Sequence, residues 1–256
     1  MSERPRGWVL VTGGAKRLGA AIARACAEAG WRPVIHFRES ADEAATVAAA
    51  LGGVPVRGDL ADTADVETLF ARARLATGAP IAALVNSASR FAFDRPEAID
   101  PGLSAELHAI NAVAPAMLAA ALAAQEDLDE GVVVNLLDQK LANPNPDFFS
   151  YSLSKYALAG ATTMLAQALA PRVRVNAVAP GLTLRSGDQS EEEFDTVSRR
   201  NLLERPVGAQ AVADGVVYLL GARSVTGQTL YVDCGQRFLK RDGDVMFEGR
   251  GGGGNG

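Results

Sequence analysis

The sequence predicts an α/β fold: one doubly wound parallel sheet of about seven strands, with helices on both faces. Three observations carry this. Short apolar runs alternate with longer Ala-rich segments of helical period along the chain, the pattern of repeated strand–helix–strand units. The runs are almost continuously apolar, as strands covered on both faces must be. The first run ends in a glycine-rich turn that opens a helix, the arrangement of a Rossmann-type dinucleotide-binding unit.

Trp8–Thr12 is the first predicted strand, and Leu18–Gly30 the first helix. Pro33–Phe37, Val54–Gly58 and Ala83–Asn86 are the next strands, separated by helices over Ala41–Leu51 and Ala64–Thr77. A fourth helix is read over Gly102–Ala124, a fifth strand over Val132–Leu137 and a fifth helix over Tyr151–Ala170. Val173–Val178, Gly208–Leu220 and Thr229–Val232 complete the alternation as strand, helix and strand. No composition break or internal repeat divides the chain, so residues 1–249 read as one domain. Gly181–Arg205 departs from the rhythm, with Glu191, Glu192, Glu193 and Asp195 around a helical fragment. It follows the sixth strand at the carboxyl edge, where open α/β sheets bind ligands. It is read as a mobile substrate lid, with a solvated surface insertion as the alternative. The Gly-rich tail, residues 250–256, is expected to be flexible.

Composition narrows the class. The chain has 256 residues, enough to bury a sizeable core without disulfides or a structural metal. With 48% hydrophobic and 21% charged residues it resembles an ordinary globular protein. The net charge of −5 argues against nucleic acid as a partner. Cys26 and Cys234 read as reduced thiols of a cytoplasmic protein. The two histidines and two cysteines stand at no ligand spacing, so no metal site is expected. The N-terminus does not read as a signal peptide, and no apolar run suggests a bilayer span. No membrane association is expected.

The glycine-rich turn lies in Val11–Ala23. Gly13 and Gly14 allow a tight turn, Gly19 allows close helix–strand packing, and the N-terminus of the following helix offers free N–H groups to a pyrophosphate. Lys16 and Arg17 add positive charge there, with Leu18 beside them. Past the second strand, Arg38 and Ser40 are suited to a ribose 2′-phosphate, where an NAD site places a carboxylate. NADPH is therefore the expected cofactor, in preference to NADH, with Glu39 as the residue that complicates the choice. His36 and Phe37 at the strand end, and Asp59 and Leu60 past the third strand, are placed along the adenosine side. His36 and Asp59 have plainer alternatives, as a packing residue and a helix cap; His108 reads as packing or surface.

Tyr151 and Lys155 stand four apart on a predicted helix and share one face. The fifth strand ends at Asp138, and a loop with Pro144 and Pro146 returns the chain to that helix. This brings Asp138, Tyr151 and Lys155 to the carboxyl edge near the glycine-rich turn. A phenol is a poor acid at neutral pH, and a neighbouring ammonium is expected to lower its pKa toward the working range. Hydride transfer from a nicotinamide with proton donation by Tyr151 is the chemistry this predicts.

Several motifs together resemble the short-chain dehydrogenase/reductase family: the TGxxxxxG turn, Asn86 and Ala88 after the fourth strand, Asn111 in the fourth helix, YxxxK, and Pro180–Gly181. The resemblance spans Val9 to Gly235. It implies that Tyr151 donates the proton, that Lys155 binds the nicotinamide ribose, and that Asn111 holds a water in a proton relay. It also implies a homotetramer formed through the fourth and fifth helices and the C-terminal edge.

Two positions depart from the family pattern. Asp138 stands where a serine is usual, and Arg17 stands in place of the turn's second glycine. An ionised carboxylate would repel an alkoxide-like oxygen and raise the tyrosine pKa, whereas it suits N–H donors or a basic ring nitrogen. Both departures resemble the pteridine reductase branch, as do Ser89 and Phe91 in NSASRF. That resemblance implies a flat pterin ring gripped between Phe91 and the nicotinamide, with Ser89 and Arg17 at its polar edge. The implied substrate is a dihydropterin such as dihydromonapterin or dihydrofolate, reduced to the tetrahydro form. The enzyme alternative is a carbonyl or alcohol oxidoreductase, which Asp138 argues against. A non-catalytic NADP-binding sensor or scaffold is a further alternative, which the complete Tyr/Lys pair opposes. Phe91 as a core anchor, Arg17 as a phosphate ligand and Asp138 as a strand-end residue remain open readings.

Overall fold

The computed structural model describes residues 6–185 and 190–247. Seven parallel strands form one sheet in the order β3-β2-β1-β4-β5-β6-β7. They are β1 (Trp8–Val11), β2 (Arg32–Phe37), β3 (Val54–Arg57), β4 (Ile81–Asn86), β5 (Gly131–Leu136), β6 (Val173–Pro180) and β7 (Thr229–Val232). The helices are α1 (Arg17–Glu28), α2 (Ala41–Leu51), α3 (Thr63–Thr77), α4 (Pro101–His108), α5 (Ala114–Ala123), α6 (Phe149–Ala168), α7 (Glu191–Ser198) and α8 (Gly208–Gly221). The predicted fold class, an α/β doubly wound sheet of seven strands, is the one observed.

The apolar runs are explained by cores on both sides of the sheet. Successive side chains of a strand point to opposite faces. Val9 and Val11 pack with Ile22, Ile35, Val216 and Leu219 under α1 and α8. Leu10, between them, joins Leu69, Leu84, Leu118 and Leu122 under α3 and α5 on the other side.

The helix ends follow local chemistry. Asp62 caps α3 by accepting from Ala64 N, and Asp100 caps α4 by accepting from Gly102 N and Leu103 N. Gly52 and Gly78 close α2 and α3 in the left-handed conformation. Ser190 and Glu193 form a reciprocal capping box at the start of α7.

The predicted fourth helix, Gly102–Ala124, is not one regular helix. A π-helical turn, Ala109–Val113, separates α4 from α5 and carries Asn111. The stretch Pro101–Ala123 has the length and composition of a bilayer span, contrary to the sequence expectation, yet half of its most apolar part, of mean hydropathy 1.4, is buried inside the fold. The predicted Gly-rich tail lies outside the described residues, as does part of the predicted lid, residues 186–189.

After β3 the chain returns to place β4 on the other side of β1. This reversal opens a crevice at the carboxyl ends of β1 and β4. The glycine-rich turn after β1 and the segment Ser87–Phe91 after β4 flank it.

Candidate active site

The glycine-rich turn is built for close approach. A Cβ at Gly19 would lie 2.1 Å from the Gly13 carbonyl oxygen, so α1 can seat against the turn only with glycine there. Lys16, the N-cap of α1, makes no side-chain capping bond, and the first turn of the helix carries no acidic residue. The N-terminal N–H groups and positive dipole end therefore suit an anionic ligand. Arg17 has φ +51°, the left-handed region that glycine normally fills. Its Nη2 donates to the Arg185 carbonyl at 2.6 Å, tying the turn to the segment after β6.

The adenosine side forms a cleft of about 490 Å³ bordered by Gly13, Arg38, Asp59, Leu60, Ala88 and Phe91. A smaller hollow beside it is lined by Lys16, His36, Phe37, Arg38, Glu39 and Ser40. Arg38 and Glu39 pair at 2.9 Å on the surface, and Lys16 pairs with Glu43 at 2.7 Å. Ser40 opens α2 without a capping bond from its side chain. Asp59 caps its own turn, accepting from Ala61 N at 2.9 Å.

Two of the predicted residues make their side-chain bonds within the fold, although His36 also lines the cleft. His36 is buried, accepting at Nδ1 from Gly13 N at 3.1 Å while its Nε2 meets the Gly58 carbonyl at 3.1 Å. That carbonyl requires the Nε2–H tautomer, so His36 braces the glycine-rich turn against the end of β3. Burial lowers its pKa to about 4, which keeps the ring neutral. The Asn86 side chain turns from the cleft: its Nδ2 donates to Asn135 Oδ1 at 2.8 Å inside the sheet. Asn86 and Asn135 face each other in the β4–β5 register, which directs both amides inward.

The candidate catalytic group lies between the carboxyl ends of β5 and β6. Tyr151 Oη donates to Asp138 Oδ2 at 3.0 Å, and Asp138 Oδ1 accepts from Lys140 N at 2.8 Å. Lys155 Nζ donates to the Leu136 carbonyl at 2.8 Å and stands 5.6 Å from the centre of the Tyr151 ring. Tyr151 and Lys155 are both buried. Pro180, Gly181 and Leu18 border the same space. Gly181 sits so close to β7 that a Cβ would lie 2.9 Å from Asp233 Cα.

The electrostatics differ from the expectation that Lys155 lowers the tyrosine pKa. Burial raises the Tyr151 phenol well above its ordinary value, and the charge and hydrogen bond of Asp138 push it further up. Burial also raises Asp138, against the opposing bonds from Lys140 N and Tyr151. Lys155 is itself lowered to about 8, because burial disfavours its charge. Desolvation and the carboxylate outweigh the ammonium at this phenol.

Asn111 is brought to the group but is heavily occupied. Its Nδ2 donates to the Arg90 carbonyl at 2.9 Å and to Ser154 Oγ at 3.0 Å, and its Oδ1 accepts from Arg90 N at 2.9 Å and Ser89 Oγ at 3.1 Å. Ser154 Oγ in turn donates to the Tyr151 carbonyl at 2.6 Å. The π-helical turn thus connects the loop after β4 to the helix that carries Tyr151.

A cavity of about 430 Å³ opens beside Tyr151, bordered by Arg17, Ser89, Phe91, Asp138 and the segment Gly181–Leu184. Phe91 is half-exposed, at 47%. It stacks on Phe148 with ring centres 4.1 Å apart and meets the Tyr151 ring edge-on at 4.7 Å. All the residues predicted to hold substrate therefore border one space.

Residues 13–237 match the family model described as Enoyl-(Acyl carrier protein) reductase. The chain belongs to the short-chain dehydrogenase/reductase family. It is an oxidoreductase of that family, as the predicted motifs implied. It is 31% identical to Pteridine reductase 1 of Leishmania tarentolae, over 88% of this chain and 94% of that protein. The crystal structure of FolM alternative dihydrofolate reductase 1 from Brucella suis, in complex with NADP, matches with TM-score 0.88 and 39% identity over 93% of this chain and 97% of its own. The angucycline C-6 ketoreductase LanV with bound NADP matches with TM-score 0.82 and 29% identity, over 92% of this chain and 100% of its own.

Within this short-chain dehydrogenase/reductase site, sequence reasoning missed several residues. Thr12 Oγ1 accepts from both Ser87 N and Ala88 N at 3.0 Å, fixing the turn after β4 beside Gly13. Phe148, at φ +54°, is buried and backs Phe91. Gln236 accepts from Leu182 N at 2.8 Å, holding the segment after β6. The paired phenylalanines before Tyr151 were the available signal for Phe148. Nothing local marks Gln236, which comes from beyond β7.

Proposed function

We propose that this protein is an NADPH-dependent dihydropterin reductase. The observation that carries the reading is the Tyr151–Asp138 hydrogen bond of 3.0 Å at the substrate cavity. A ketone reductase needs a donor that yields its proton to a developing alkoxide, and a carboxylate beside that donor disfavours negative charge on oxygen. An imine-like ring nitrogen needs an acid matched to neutral pH. Asp138, whose burial raises its pKa, fits that task in concert with Tyr151.

The residues present fit a dinucleotide phosphate: the uncapped start of α1, the close-packed Gly19, and Arg38 with Ser40 beside the ribose hollow. When bound, the nicotinamide of NADPH supplies a hydride, which goes to ring carbon C6 of a dihydropterin. Asp138 and Tyr151 deliver the proton to N5, giving the tetrahydropterin. Lys155 holds the nicotinamide ribose. Asn111 positions Ser89 and the Tyr151 helix, and any water relay would exchange with one of its protein bonds. Phe91 offers a flat apolar face to the pterin, with Ser89 and Arg17 at the polar edge. Preference for NADPH over NADH rests on Arg38 and Ser40.

Gly181–Arg205 acts as the substrate lid, a reading supported by the bond from Arg17 to Arg185. A homotetramer is supported by the apolar side chains left exposed near α5 and on α6: Val113, Leu153, Tyr156 and Met164. The cytoplasmic assignment is supported by Cys26 and Cys234 remaining free thiols. The charge of −5 supports the reading that neither nucleic acid nor membrane is a partner.

The likeness to a ketoreductase favours a second reading, reduction of a polycyclic ketone. NADPH oxidation measured with dihydromonapterin, dihydrofolate and a panel of ketones separates the two. Turnover of the pterins is expected, and turnover of ketones alone would sink the first reading.

A further inference from the structure

A charged cluster centred on the buried Lys140 and Asp147 lies behind the cavity. Lys140 is 4% exposed. Its Nζ donates to the Asp147 carbonyl at 2.5 Å and to Asp244 Oδ2 at 3.1 Å. The Asp147 carboxylate accepts from Asp244 N at 2.8 Å on one oxygen and from Arg95 at 2.9 Å on the other. Asn143 Nδ2 donates to the Leu239 carbonyl at 2.7 Å. Residues 239–247 are thereby stitched across the loop between Asp138 and α6.

This strap reaches the substrate cavity in two ways. Asp244 and Val245 border the cavity, together with Lys140 and Asp138. Phe247 lies parallel to Phe148, 5.9 Å between ring centres, and Phe148 stacks on Phe91. The main-chain N–H of Lys140 meanwhile holds Asp138 Oδ1. One residue thus joins the proton-handling carboxylate to the far wall of the cavity.

We propose that Lys140 is a positioning residue whose ammonium, through Asp244, holds the 239–247 strap as the back wall of the substrate cavity and so sets substrate affinity. Without the ammonium, the strap loses one of its ties to the loop and is left with those of Asp244 N to Asp147 and of the Leu239 carbonyl to Asn143. The described residues that border the cofactor cleft include none of the strap. The proposal rests on the functional reading only in taking this cavity as the substrate site.

The test uses the full chain loaded with NADPH, comparing wild type with Lys140→Met, Lys140→Arg and Asp244→Asn. Amide hydrogen exchange over residues 239–247, NADPH Kd, and kcat and KM are measured with whichever of dihydromonapterin or ketone the wild type reduces. In Lys140→Met and Asp244→Asn, strap exchange is expected to speed up about tenfold or more. KM is expected to rise about tenfold in both, with NADPH Kd within about threefold, and kcat within about threefold in Lys140→Met. Lys140→Arg is expected to recover most of the loss, since it keeps the charge. Asp244→Asn serves as the decisive variant should Lys140→Met fail to fold. Unchanged strap exchange, or an unchanged KM despite a loosened strap, overturns the proposal. A wild type that reduces only ketones overturns the pterin reading and leaves the strap measurement intact.

Discussion

Asp138 accepts the Tyr151 hydroxyl proton in a 3.0 Å hydrogen bond at the junction of the cofactor crevice and the substrate cavity. Burial and the carboxylate work against ionisation of the phenol, while burial, against the opposing Tyr151 hydrogen bond, favours a carboxyl that keeps its proton to higher pH than usual. A site arranged in this way stores a proton rather than negative charge.

Asp138→Asn should lower kcat/KM for a dihydropterin by about 10²-fold or more, the usual contribution of a positioned general acid. In wild type the activity should fall as pH rises through the elevated Asp138 pKa, because the protonated carboxyl is the active form. The variant should lack that limb in a pH–rate profile. An unaltered profile would remove Asp138 from the chemistry.

Lys155→Met should abolish most activity while costing little stability at neutral pH. The buried ammonium, lowered to about 8, is charged in the fold only at an energetic cost, on the order of 3 kcal/mol below pH 8. Between pH 8 and the unfolded value the unfolded chain holds the extra proton, so wild type gains stability as pH rises there. Urea unfolding of both proteins should show the difference moving in favour of wild type across that window.

His36→Asn should raise the NADPH Kd by about tenfold, since asparagine is too short to span Gly13 N and Gly58 O together and a bond is lost. The same residue contributes an acid sensitivity. Its folded pKa of about 4 lies below the unfolded value, so stability falls as pH drops from about 6.5 toward 4, by up to about 3 kcal/mol. The variant should lose that part of the slope in denaturation measured across the same range.

Arg38→Ala should raise KM for NADPH by about tenfold or more and leave NADH within about threefold, as loss of a charge-assisted phosphate contact requires. Glu39→Gln should have the opposite sign for NADPH, because Glu39 now occupies Arg38 at 2.9 Å. Equal effects on both cofactors would overturn the assigned preference. Initial rates with each cofactor suffice.

Much of the site was legible because its residues sit at strand ends and helix starts, where short patterns carry meaning. The glycine-rich turn, Asp138, and the Tyr151–Lys155 pair occupy the places their spacing indicated. The direction of the Asn86 side chain was not legible, because a side chain at a strand end can face either the crevice or the sheet, and this one is bonded to Asn135 across the β4–β5 register. The irregular turn that carries Asn111 was equally invisible, since a π-helical insertion leaves the apolar pattern of Pro101–Ala123 intact.

By itself the sequence determined the sheet, its covered faces and the chemistry offered at its carboxyl edge, because periodicity and turn residues act over a few neighbours. The tertiary structure decided the rest: the direction of the Tyr151 pKa shift, the neutral tautomer of His36, and the meeting of Lys140 with Asp244 more than a hundred positions later. Those depend on burial and on contacts distant along the chain, which set the local dielectric and the charges in it.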